Sequence, residues 1–289
     1  MSAVLHWSTT ELGSCFYALD CVRQMLPVVD RRLTNACKTS IQRLERACAD
    51  VRLAASVLWQ HLPPLSCDAR DVDELAVALN EVLRESRLPQ FVECDLIEIL
   101  DVCAAPLPSL YPRLGTELGC RQRPIREQWD ARGPGLLLQA HRASHGAVLP
   151  DHVAVHLVHP ALGGGGFAHP IYGSIRFESV LANRLEQLSE VVRLAWLIAQ
   201  LPTDVGKATD PDSPIAILPW AVLPLTLYAA AEVQLVQFDQ PTLALALAEW
   251  DFPAESVAIS AEQLWRWWNE YLSDEIAWEE AVDRLARST

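Results

Sequence analysis

The spacing of apolar positions along this chain changes period in only one region. From Leu33 to Leu58 apolar side chains return every three or four residues (Leu33, Cys37, Ile41, Leu44, Cys48, Val51, Ala55, Leu58). That spacing lays one apolar stripe along a helix. It predicts a single helix over residues 31–61, stopped by Pro63-Pro64, because proline has no N–H to extend the ladder. Ser8-Thr9-Thr10 offers an N-cap to a helix over residues 11–25. Helical spacing also marks residues 71–86 and 89–104. The three prolines of residues 105–112 predict a boundary. Pro124 is placed to open a short helix over residues 124–131. Gly133-Pro134-Gly135 is expected to break the chain before a further helix over residues 136–144.

Between residues 151 and 181 the period shortens. Residues 151–159 form an apolar run with β-branched Val153, Val155 and Val158, bordered by Pro150 and Pro160. Its length and borders predict a buried strand. Farther on, Ile175, Phe177 and Ser179 alternate with Arg176 and Glu178, which predicts a strand with one face in water. The tetraglycine Gly163, Gly164, Gly165 and Gly166 joins the two.

Helical spacing then resumes. Residues 188–201 are apolar on most sides and predict a buried helix, and residues 202–214 a loop. Residues 215–231 carry no charge, but they fall short of the roughly 20 residues a membrane span needs and hold two prolines. A core helix is expected there. Helices are also predicted over residues 241–250, 261–272 and 274–286, with Trp265, Trp267, Trp268 and Trp278 packed between them.

The fold class is therefore mainly α with a small β element (α+β). A helical bundle of residues 1–105 packs on an α+β unit of residues 106–289, as two units or one continuous domain. The second unit holds the glycine-rich loop and a two-stranded or slightly larger sheet around residues 151–181.

Composition narrows the function. A hydrophobic content of 51% with 21% charged residues describes a packed globular chain. The formal net charge of −14 argues against a nucleic-acid backbone or an anionic membrane as partner, since both need clustered cations. After residue 200 only Lys207, Arg266, Arg284 and Arg287 are basic, and the acidic residues there lie on amphipathic helices as a solvated face. No CxxC pair occurs among the eight cysteines, so structural zinc of the usual spacing is disfavoured. The first residues lack a basic segment followed by an apolar one. Reduced thiols in a cytoplasmic protein are expected.

Six of the eight histidines lie between residues 141 and 169. His141 and His145 are four apart in a segment read as helical, the spacing of a two-histidine metal site. A zinc protease would carry glutamate directly after the first histidine as its base; here Arg142 stands there, and arginine cannot take a proton from metal-bound water. His152 and His156 are too far apart along a strand to share one ion. A divalent metal would have to be held by His141, His145 and His169 with Glu178 as the nearest carboxylate, under a glycine lid formed by Gly163–Gly166. The tetraglycine lacks the Lys-Ser/Thr of a phosphate loop and meets a strand rather than a helix N-terminus.

The order helix, strand, glycine loop, strand, buried helix looks like the layout of a zincin-type peptidase core. The helix that would hold its ligands reads Glu190-Val191-Val192-Arg193-Leu194, with no histidine. Lacking a complete catalytic set and rich in helical faces and tryptophan, the chain is expected to be a non-catalytic cytoplasmic interaction or scaffold protein. It would have a protein partner or associate with itself, and need no cofactor. The alternative is a metal-assisted hydrolase or degenerate zincin-like enzyme built on the histidines of residues 141–169.

Overall fold

The computed structural model describes residues 3–180, 185–201, 217–250, 259–274 and 276–288. The loop expected over residues 202–214 lies outside them. As the sequence leads one to expect, the fold is mainly helical with one small sheet.

The sheet is assembled from distant parts of the chain. Strand β1 (Val4–Thr9) pairs in parallel with β2 (His152–Val158). β2 in turn pairs in parallel with β4 (Ser174–Glu178), and the short β3 (Gly166–His169) closes the far side antiparallel to β4, giving the order β1-β2-β4-β3. Two of these strands were not foreseen. Ser8 and Thr9, read as part of a cap, belong to β1, and β3 emerges directly from the glycine loop.

Helices cover both faces. On one side lie α1 (Glu11–Arg23) and α3 (Ala55–Asp68), backed by α2 (Arg31–Asp50), α4 (Val72–Glu85) and α5 (Glu93–Ala104). The short α6 (Pro106–Leu110) sits in the stretch read as a boundary and packs on α1 and α2. On the other side lie α7 (Leu114–Ala143), α8 (Glu190–Ala199) and α9 (Leu218–Glu232). Packed on α9 are α10 (Gln240–Glu249), α11 (Ala261–Ser273) and α12 (Trp278–Arg287). Among the described residues no helix is long and apolar enough to cross a membrane.

Several helix boundaries differ from the sequence reading, each for a physical reason. The stripe of residues 31–61 is two helices, α2 and α3, broken where Arg52 takes a left-handed φ of 58°. There the N–H of Leu53 donates to the Cys48 carbonyl and that of Arg52 to the Ala49 carbonyl, the paired bonds that terminate a helix. Pro63 and Pro64 do not stop α3. They lie inside it among buried Leu58, Leu62, Ser66 and Cys67, so burial of the turn outweighs the lost ladder bonds. Likewise Pro124 and Pro134 lie within the single 30-residue helix α7. Gly133 does not break that helix. It gives room to the buried Trp129 ring, whose atoms stand 2.3 Å from where a side chain at 133 would begin.

The strands set the chemistry of the interior by parity. Odd-numbered Val153, Val155, Leu157, Ile175 and Phe177 enter one apolar core with Leu136, Leu137, Val192, Leu194 and Trp196 from α7 and α8. Even-numbered His156, Arg176 and Glu178 face α1 and α3. They are buried too: Arg176 is 2% exposed and Glu178 0%. The face read from the alternation as wet is thus a polar interior, roofed by helices from the other end of the chain.

Candidate functional site

Glu178 closes β4, and the glycine loop closes on Glu178. The Leu162 N–H donates to its Oε1 and the Gly164 N–H to its Oε2, both at 2.6 Å. In return the Glu178 N–H donates to the Gly165 carbonyl at 3.0 Å, so the loop is pinned from both sides. This wrap needs φ values of 80° at Gly163 and 130° at Gly164, which L side chains rarely adopt. A side chain at 164 would also begin 3.1 Å from the Arg193 guanidinium.

Burial pushes the Glu178 carboxyl up to about 7, against the two loop N–H donors, a hydrogen bond from Tyr17 and the charge of Arg193, all of which favour the anion. Arg193, buried in α8, pairs with Glu190 one turn earlier and lies 5.3 Å over the Phe177 ring. Glu190 is raised by burial, with Arg193 opposing.

Next along the same face, Arg176 caps the neighbouring rings of Tyr17 and Phe167, at 5.1 and 5.5 Å. Its Nε donates to His169 Nε2 at 2.6 Å, which places the His169 proton on Nδ1. Burial first and the Arg176 charge second hold His169 well below the ordinary histidine value. One Arg176 terminal nitrogen reaches Asp20 Oδ2 at 3.4 Å, and the other, buried, has no hydrogen-bond partner among the described residues. Asp20 is held more closely by Arg23, at 2.9 Å. His156 bonds Ser8 Oγ through Nδ1 at 2.8 Å, and its Nε2 lies 3.5 Å from Asp68. Burial lowers its proton affinity. Cys67 and Cys21 sit against this network. Burial pushes the Cys67 thiol up to about 12 and that of Cys21 well above its ordinary value, so neither is a nucleophile at neutral pH.

Of the residues singled out in the sequence, the structure brings Glu178 together with the loop, and joins His169 to Arg176 two residues before Glu178 on β4. His141 and His145 go elsewhere. His141 lies in the last turn of α7, beside Gly146. His145 falls past the helix end with a left-handed φ of 52°, so the two do not share a helical face. It stands edge-on to Tyr271, at 6.4 Å between centroids. There it lines an open cleft of about 670 Å³ with Gln139, Arg142, Tyr228 and Glu232. Among the described residues no group of three or more His, Cys, Asp or Glu side chains is placed to hold a metal ion.

Sequence reasoning missed Tyr17, Asp20, Arg176 and the Glu190–Arg193 pair. The last had a visible signal: one arginine in the apolar run of residues 188–201, with a carboxylate three positions earlier.

Chemically the cluster is a donor site filled by the chain's own carboxyl group, which burial keeps protonated up to about pH 7. Two peptide N–H groups, a phenol and a guanidinium converge on Glu178 as they would on a bound anion. The chain matches no family model, no curated protein and no solved structure, so the reading of the site rests on this geometry.

Proposed function

We propose that this is a non-catalytic interaction protein that works by binding a protein partner or another copy of itself. The observation carrying this reading is the capture of Glu178 by the Leu162 and Gly164 N–H groups. A lid over a reactive site must keep its donors for a ligand, and here they hold a buried internal carboxylate. The other candidate groups are committed in the same way, His169 to Arg176, His156 to Ser8 and Arg193 to Glu190. Such bonds fix the glycine loop and the helical roof on the sheet and leave the outer helical surfaces for recognition. A reducing compartment such as the cytoplasm suits the eight free thiols.

The test is elemental analysis of protein purified without chelators, with thermal unfolding in added zinc and manganese. Substoichiometric metal and an unmoved Tm are expected. One tightly held ion per chain, released by His169→Ala or Glu178→Gln, would overturn the reading in favour of a metal-assisted hydrolase.

A further inference from the structure

The sheet has two edges, and they are unlike. β3 is four residues long, begins at Gly166 and runs into Pro170, and a helix packs against each edge strand, α8 on β3 and α7 on β1. β1 is six residues long, VLHWST, and holds no charge, proline or glycine. Val4 is 48% exposed, and His6 and Thr9 are also exposed.

The pairing with β2 fixes which peptide groups are left over. The Val4 N–H donates to the Asp151 carbonyl at 2.8 Å and the Thr10 N–H to that of Leu157. In a parallel ladder this turns the peptide groups of Val4, His6 and Ser8 toward β2, and those of Leu5, Trp7 and Thr9 away. No strand among the described residues lies beyond them. Proteins blunt such an edge with charge, proline, a bulge or extreme shortness. β1 has α7 packed on it but carries no charge, proline or bulge of its own and is six residues long, whereas β3 is short and meets a proline.

We infer that β1 pairs with β1 of a second copy, antiparallel about a two-fold axis at Trp7, so that two four-stranded sheets become one. This names the partner in the reading above and rests on it. The outward groups at 5, 7 and 9 are symmetric about Trp7. Trp7 therefore stands opposite Trp7 of the second copy, and Leu5 opposite its Thr9. Each pair exchanges both N–H···O bonds. The intervening positions set His6 opposite Ser8, so no charged side chains oppose one another. For a chain of net charge −14, which repels its own copy, an uncharged strip is the place where two copies can meet.

The experiment is sedimentation equilibrium of the full chain with and without Thr9→Pro, together with amide hydrogen exchange over residues 3–10 at several protein concentrations. Thr9 is exposed and its N–H does not serve β2, so proline there leaves the monomer's ladder intact and deletes two bonds from the dimer. The expected result is a dimer whose dissociation constant rises about 30-fold in Thr9→Pro at unchanged circular dichroism. The amides of Leu5, Trp7 and Thr9 should gain protection as concentration rises. A monomer at every concentration, or a dimer indifferent to Thr9→Pro, overturns the inference. So does protection of those amides that is independent of concentration, which would mean the chain covers its own edge. Should Thr9→Pro fail to fold, exchange on the unaltered protein decides alone. A monomeric outcome leaves the non-catalytic reading standing, because that is judged on metal content.

Discussion

The two faces of the sheet come from alternate residues of the same strands and are buried by opposite means. The odd face, with Val155, Ile175 and Phe177, meets apolar side chains of α7 and α8, and its stability is the transfer of hydrocarbon out of water. The even face, with His156, Arg176 and Glu178, is just as deeply buried, yet it carries charges. Buried charge is costly unless each group is paired, so that face is held by particular bonds and not by area. A face held by area tolerates local loss in proportion to the atoms removed. One held by bonds fails unevenly, depending on which partner is left alone.

That difference predicts an asymmetry. Phe177→Ala should cost about 3–5 kcal/mol by removing buried ring atoms, with little dependence on salt. On the even face, Asp20→Ala should cost a similar 3–5 kcal/mol, because it takes the carboxylate from an arginine that is 2% exposed. Arg176→Met should cost clearly less, since Asp20 keeps Arg23 at 2.9 Å, the methionine keeps contact with the Tyr17 and Phe167 rings, and the one group left without its donor, His169 Nε2, is uncharged. Urea denaturation of the three variants measures this. Equal costs for Asp20→Ala and Arg176→Met would mean that the even face is also held by area.

A second contrast is in pH. The Glu178 carboxyl titrates at about 7 in the fold, against an ordinary value of 4.5. Between those values the folded chain keeps a proton that the unfolded chain has lost. Its contribution to stability is therefore full below 4.5 and is lost as pH rises through 7, a change of about 3 kcal/mol. The buried histidines act oppositely. His159 is lowered from 6.5 to about 4, mainly by burial, so its contribution is full above 6.5 and is lost as pH falls toward 4. Because the windows overlap, the informative quantity is wild type minus Glu178→Gln. That difference should fall by about 3 kcal/mol from pH 4.5 to 7. A flat difference would show that the loop N–H groups, and not burial, set the titration of Glu178. On the odd face, Phe177→Ala should leave the shape of the pH curve unchanged.

The odd face was legible in the sequence and the even face only half so. Alternation in Ile175, Arg176, Phe177 and Glu178 shows that a strand has two unlike sides, but not what covers either. The roof over Arg176 comes from Tyr17 and Asp20, more than 150 positions away in the case of Asp20. β1 escaped for the same reason: six residues carry little periodic signal, and Ser8 meets His156 across 148 positions. In the candidate site, the nearness of Glu178 to the glycine loop was readable because Glu178 follows the loop closely in the sequence, on the next strand predicted after it. Arg193 and Tyr17 reach it through tertiary packing, for which the chain has no local signature.

Helix ends explain the remaining misreadings and give the smallest effect. Five described helices end on a non-glycine residue with positive φ: Met25, Arg52, Arg87, His145 and Gln234. At each, the following N–H donates back to a carbonyl five residues earlier, for example Leu53 to Cys48 and Gly146 to His141. In four of the five a leucine follows and packs toward the helix it has just left. The hydrophobic contact and the paired bonds thus hold a conformation that the residue itself disfavours, so no glycine marks the stop between α2 and α3. Arg52→Gly should relieve this. The left-handed backbone costs a non-glycine residue about 1–2 kcal/mol, and glycine's greater freedom in the unfolded chain returns about half of that. A net gain of about 0.5–1 kcal/mol is expected in urea denaturation at unchanged m-value. Arg52 is exposed and its side chain forms no ion pair among the described residues, so the change isolates the backbone. A loss of stability would mean that the Arg52 side chain, rather than Leu53 and the two terminal bonds, holds the break between the two helices.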